Sequence, residues 1–280
     1  MSASQCELYP YVPSLPLAVV AIILYSMLVG IHTFRMIQAK TWTSTFFCLG
    51  GWVAQLSGYS VGIFSTCNRA AFTTQSVLLL LGPTLIMFSV NLTQIDFARV
   101  LDAKDFCWVP IPWQPALYLG LNVALMIVQL VGGVISTASS SIETIEIGTK
   151  ITIAIYVIQL FFWLFTFAEN TYMAIKLRSQ PTEACNTKLS HWKGWNQLFG
   201  LSVSIIAAGR NVMRLTMAGG VAFLVETEWP SYAFDGYQMV VVLSAWAIWY
   251  LPEKLRKVGS RVSYMSLTEL ERTEERSVSP

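Results

Sequence analysis

SLPLAVVAIILYSMLVGIHTF, residues 14–34, contains no Asp, Glu, Lys or Arg. A helix needs about 20 mostly apolar residues to cross about 30 Å of hydrocarbon, so this stretch reads as a membrane span. Its upstream flank, MSASQCELYPYVPS, lacks the basic region of a cleavable signal, and the span is expected to stay in the protein. Six similar runs follow, at 43–64, 72–94, 115–135, 148–173, 197–225 and 233–251, separated by polar, proline-bearing or charged breaks. The 280-residue chain is 54% hydrophobic and 12% charged, against about 25% charged in ordinary soluble domains. The expected fold is an all-α polytopic bundle of seven transmembrane helices, with no room for a second folded domain.

Orientation follows from the basic residues, which cytosolic connections retain. Arg35, Lys40, Arg99, Lys104, Lys176, Arg178, Lys188 and Lys193 fall in the first, third and fifth connections. Lys254, Arg256, Lys257, Arg261, Arg272 and Arg276 follow the last run, whereas the opposite side has Arg69 and Lys150. This places the N-terminus outside and the C-terminus in the cytosol. The chain divides into an extracellular segment 1–13, a transmembrane domain 14–252 and a cytosolic tail 253–280. The tail is largely disordered by composition, ending in TELERTEERSVSP. A net charge of +2 gives no reason to expect nucleic acid as a partner.

Cys6 and Cys67 both face outside in this topology, where a disulfide would persist; two unpaired thiols are the alternative. Cys107 and Cys185 are cytosolic and Cys48 lies in the second run. The sequon Asn91-Leu92-Thr93 sits near the inner end of the third run, out of reach of glycosylation.

Charges and amides inside apolar runs are costly, about 2.5–3.5 kcal/mol for an arginine at a helix centre. Arg210 and Arg214 are four apart in the sixth run and share a face. Asn122 and Gln129 share a face of the fourth, followed by Gly132-Gly133, which admits a close neighbour. Gln55 and Tyr59 do so in the second, Gln159 stands mid-span in the fifth and Asp235 just inside the seventh. Each amide taken alone reads as interhelical glue, worth about 0.6 kcal/mol, and the arginine pair alone as a structural ion pair. Together, from four or more spans, they describe a hydrophilic pocket. The short connection 226–230 makes the sixth and seventh helices neighbours and Asp235 the expected partner of Arg214, with Glu228 next. Arg210 then lacks an equally placed carboxylate and is the residue expected to meet a headgroup.

Tyr9-Pro10-Tyr11-Val12-Pro13-Ser14, Gly58-Tyr59, Gln75 with Gly82-Pro83, Gln129 with Gly132-Gly133, and Arg210-x-x-x-Arg214 followed by Glu228 and Tyr232-x-Phe234-Asp235 occur in that order. In order and placement these motifs resemble the fungal lipid-translocating exporters, the RTA-like proteins, over nearly the whole chain. The resemblance implies a plasma-membrane protein that exports or translocates sphingoid bases and related amphiphiles and confers tolerance of toxic sterols, with porphyrin handling in some members. The chain is a divergent member. Gln55, Asn122 and Met217 stand where acidic residues are usual, Gly62 where an arginine is, and Asn91 and Asp96 where a tyrosine and an arginine are.

The expected function is therefore translocation of membrane lipids or amphiphilic small molecules, without cofactor. The alternative is a seven-helix lipid or sterol receptor using the same pocket. No GxxxxGK occurs, which argues against ATP hydrolysis, and the seventh run has no lysine for a retinal Schiff base. His32 and His191 stand at different cytosolic connections, so a zinc hydrolase, which needs clustered ligands, is not expected.

Overall fold

A computed structural model describes residues 13–62, 68–187 and 189–258, apart from the side chains of 43, 53–55, 62, 207, 208 and 222. Cys6, Cys67, the opening Tyr-Pro motif, the end of the tail and the Gln55 side chain lie outside that description. Every regular element among the described residues is helical.

Five helices are long and apolar enough to cross a membrane. Helix α1, Leu15–Ala39, starts at Ser14 with proline in its first turn and ends where Lys40 takes a left-handed conformation, φ 50°. Helix α2, Thr45–Leu49, continues through a π-helical stretch, Gly50–Leu56, into α3, Ser57–Gly62. Helix α4, Arg69–Val100, is capped by the Asn68 side chain, which accepts from the Ala70 and Ala71 amides, and contains Pro83. Helices α5, Gln114–Ala138, and α6, Ile142–Ser179, follow, then the short α7, Glu183–Thr187. Helix α8, Trp192–Ser204, runs through a second π stretch, Ile205–Asn211, into α9, Val212–Ala218. After α10, Ala222–Glu226, a third π stretch, Ser231–Tyr237, opens α11, Gln238–Ile248.

The helices exceed the apolar runs because their polar ends stay helical beyond the hydrocarbon. The 38 residues of α6 are about 57 Å long at 1.5 Å per residue. The sixth run behaves differently: its helix stops at Ala218, Gly220 turns the chain at φ 82°, and 222–226 form a separate turn of helix. The last residues of that run therefore do not extend the span. Arg214 lies about 6 Å and Arg210 about 12 Å from the end of α9, nearer the end of the span than a helix running to 225 would put them.

Packing closes a ring. Helix α1 contacts the α2–α3 rod and α11; α4 contacts the α2–α3 rod, α5 and α8; α6 contacts α5 and the α8–α9 rod. Helix α4 is the central one, with 61% of its most apolar stretch buried against 28% for α1 and for α5. Exposed apolar side chains such as Ile23, Met27, Ile31, Val131, Phe161 and Leu164 face outward from α1, α5 and α6. So much apolar surface is a lipid contact rather than a soluble exterior. The chain is an all-helical, multi-pass integral membrane protein.

Gly132-Gly133 does admit neighbours. A Cβ on Gly132 would come within 2.9 Å of the Thr152 hydroxyl on α6, and one on Gly133 within 3.0 Å of Leu80 on α4. The tightest point of the α5–α6 crossing is Gly148, where a Cβ would lie 2.6 Å from the Ser136 amide nitrogen. Gly148→Ala is expected to destabilise the detergent-solubilised protein by about 1–3 kcal/mol through overpacking. Gly120→Ala, with open space around it, should leave the thermal midpoint unchanged, and equal melting of the two variants would refute the tight α5–α6 crossing.

Candidate functional site

Asp235 is 1% exposed in the third π stretch, and both arginines of the sixth rod reach it. Arg214 Nη2 contacts Oδ2, and Arg210 Nε lies 2.8 Å from Oδ1. The Arg214–Asp235 pair matches expectation. The expectation for Arg210 is corrected: it has no exposed side-chain surface and shares the same carboxylate. Its remaining donors reach the Leu80 carbonyl on α4 and Asn211 Oδ1, each at 3.4 Å. Two guanidiniums thus meet at one buried carboxylate. Arg214, at 22% side-chain exposure, is the member that an entering molecule can touch.

Backbone irregularity builds this arrangement. A π turn shifts helical hydrogen bonding from i→i+4 to i→i+5, and such turns concentrate at functional sites. The three π stretches lie in the second, sixth and seventh rods, whose glycines lie under their neighbours' side chains. The Gly236 carbonyl accepts from the Tyr25 hydroxyl at 2.7 Å, and a Cβ on Gly236 would sit 2.5 Å from the Tyr59 hydroxyl. A Cβ on Gly209 would collide with the Gln238 amide. Tyr59 stacks between Tyr25 at 5.9 Å and Tyr232 at 5.4 Å, which joins the first, second and seventh rods beside Asp235.

The other expected site residues spread along the bundle. Glu228 does not meet the arginines; both its oxygens lie 2.9 Å from the Ser14 amide, at the N-terminus of α1. A carboxylate is favoured there because unpaired amides and the helix dipole make that end positive. Gln159 Nε2 donates to Gln129 Oε1 at 2.9 Å, linking α5 to α6. Asn122 stands apart from them, two turns into α5, and donates to the Tyr118 carbonyl of its own helix at 2.7 Å. His32 is not on a connection: it is buried within α1, with Nε2 3.0 Å from the Leu243 carbonyl and its ring stacked on Phe47. Among the described residues no cluster of His, Cys, Asp and Glu could hold a metal ion.

Sequence reasoning missed Glu169, which is 3% exposed in α6. It accepts from the Tyr118 hydroxyl and, at 3.1 Å, from the Val109 amide. Its signal was available: it is the one acid inside the run 148–173.

Removing one member of a buried ion pair typically costs about 3–5 kcal/mol, because the partner is left uncompensated. Asp235→Asn strands two cations and should cost the most, and Arg210→Gln should cost more than the partly exposed Arg214→Gln. A double-mutant cycle on thermal unfolding should give a coupling above about 1 kcal/mol for Arg210 with Asp235, and additivity within about 0.5 kcal/mol would refute the trio.

The sequence family described as RTA1 like protein matches residues 47–257. That stretch takes in Tyr59, Glu169, both arginines and Asp235. A Saccharomyces cerevisiae protein described as the uncharacterized membrane protein YLR046C is 23% identical over 233 residues, covering 82% of this chain and 84% of its own length. No solved structure matches the chain. With the match extending from the second rod past the seventh, over most of the bundle, the chain belongs to the RTA1-like family of membrane proteins.

Proposed function

We propose that this protein moves lipids or related amphiphiles across the membrane, holding the headgroup at the Arg210–Asp235–Arg214 trio while the tail stays in lipid. The observation that carries this reading is the pair of guanidiniums gathered on the buried Asp235 carboxylate, with Arg214 at the accessible edge of the cluster. An anionic or hydroxylated headgroup would approach the cluster at Arg214, and the buried tyrosines Tyr25, Tyr59 and Tyr232 beside it would pack against the first carbons of the tail. The exporters that the chain resembles point the same way, toward sphingoid bases, toxic sterol-like compounds and a place in the plasma membrane. Transport would be passive, ion-coupled or a scramblase-like exchange, with no covalent chemistry and no cofactor.

The proposed topology has seven spans. The five long helices are joined by two continuous 18-residue rods, 45–62 and 231–248, which fill the second and seventh places in the ring. Exposed Trp42, Trp108, Trp113 and Trp249 accompany the basic residues of one end, an aromatic belt at a cytosolic interface. The N-terminus then faces outside.

A lipid or sterol sensor is the second reading, favoured by one observation: the trio is roofed by stacked tyrosines, as a closed ligand site would be. Labelled-lipid exchange in reconstituted vesicles separates the two. Translocation predicts exchange at least about 10-fold above protein-free vesicles, reduced by a similar factor in Arg214→Gln if the headgroup contact is worth about 1.4 kcal/mol. Saturable lipid binding without exchange would favour the sensor. External protease should remove an N-terminal tag and spare a C-terminal one in intact spheroplasts, and the opposite pattern would overturn the orientation.

A further inference from the structure

The contacts of Tyr25 with Gly236, His32 with Leu243 and Arg35 with Tyr250 rise together in number, so α1 and the seventh rod run parallel toward the basic end of the bundle. Ile31 and Phe34 on α1, and Val241 and Ile248 on α11, are exposed apolar side chains. Ile31 is one helical turn from Arg35 and lies on its face, and Val241 and Ile248, seven apart, share a face of α11. The crease between the two helices is thus apolar along its length and meets Arg35 near its end.

Two more cations gather there. After α11 the chain turns, and residues 251–258 are helical again. Arg256 of that segment donates from Nη1 to the Ala39 and Lys40 carbonyls, satisfying the C-terminal end of α1. Lys40 takes φ 50° there, in a left-handed position more often held by glycine. Arg35 is 5.6 Å from the centroid of the Tyr250 ring, whose hydroxyl shares a 2.8 Å hydrogen bond with Thr41. The nearby acid, Glu253, is already paired with Lys257. The hydrogen bond from Lys257 holds the Glu253 carboxyl below the usual carboxylate range, and the charges of Arg35 and Lys254 add to the effect. Among the described residues no salt bridge engages Arg35, Lys40 or Arg256.

Basic side chains beside any span reach toward headgroups. These three are anchored at one corner by a ring, a left-handed backbone and a helix end, and an apolar crease leads away from them into the hydrocarbon. A phosphate suits guanidinium donors. A choline-bearing headgroup would bring a fourth cation to a corner that already holds three.

We propose that the crease between α1 and α11 holds one anionic phospholipid, its phosphate on Arg35, Lys40 and Arg256 and its acyl chain along Ile31, Phe34, Val241 and Ile248. This lipid is a resident of the fold and not the transported molecule: Ile248 lies about 20 Å along the rod from Asp235 at 1.5 Å per residue. Its place in the crease ties α1 to the rod that carries the Asp235 carboxylate.

Native mass spectrometry of the full-length protein, released from vesicles of equal phosphatidylserine and phosphatidylcholine, tests the proposal. Wild type should retain phosphatidylserine over phosphatidylcholine by about 10-fold or more, and Arg35→Gln/Lys40→Gln should cut that preference to about 3-fold or less. Lys104→Gln/Lys176→Gln removes two charges elsewhere at the same end and should keep the wild-type preference. No preference in wild type, or equal loss in the two variants, overturns the proposal. Excess inorganic phosphate should leave the retained phosphatidylserine in place, and its displacement would assign the cations to a free anion and overturn the lipid as occupant. Should the double variant fail to fold, Lys40→Gln alone carries the test: a loss of about 3-fold is expected, and an unchanged preference overturns the site.

Discussion

A guanidinium with no exposed surface dictates the centre of this protein. Arg210 cannot stay charged inside an apolar bundle unless its charge and donors are met, and the seventh rod must bring Asp235 to it. The third π stretch includes Asp235, and Gly236 beside it lets Tyr59 close over the backbone. The tyrosine stack then holds the first and second rods to the seventh. Stability and placement of the site have one origin: the contacts that let the charges be buried also fix the helices around them.

The polar groups of the bundle form a series from one end to the other. Glu228 stands at the start of α1, the arginine trio below it, the Gln129–Gln159 pair between α5 and α6, and Asn122, Tyr118 and Glu169 toward the opposite end. Each level satisfies itself mainly by bonds between helices or to the helix backbone, as a bundle without water in its walls requires. Among the described residues, the first and last levels use a carboxylate to hold backbone amides outside the regular helix ladder. Those two levels are where the connections at the two faces are tied down.

The apolar helices were legible because hydrocarbon thickness leaves an unmistakable run length, and residues 14–34 alone carry the inference. The arginine pair and Asp235 were legible because charges stand out in such runs and a short connection limits their partners. Arg210 sharing that carboxylate was not, because a π turn adds a residue without any mark in composition and changes which side chains align. Glu228 at the Ser14 amide is a contact between residues 214 positions apart, which no local pattern announces. Glu169 lay in plain view but close to the polar end of its run, where an acid passes for an interfacial residue until the length of α6 places it inside. The last residues of the sixth run misled because the chain is apolar on both sides of the Gly219-Gly220 turn, and apolarity alone does not distinguish a continuing helix from one that has ended.

The three π stretches carry a mechanical consequence. A π turn is a helix with one residue too many, and that surplus can travel, much as a dislocation glides through a crystal without the lattice coming apart. If it moved one turn along the rod that carries Arg210 and Arg214, the segment it passed would rotate by roughly 100° while both helix ends stayed anchored. Side chains would change partners at the price of a few backbone hydrogen bonds exchanged in sequence, with no rod tilting as a rigid body. Such a rotation would carry Tyr59 on one rod, Arg210 and Arg214 on another, and Tyr232 and Asp235 on the third past their present partners.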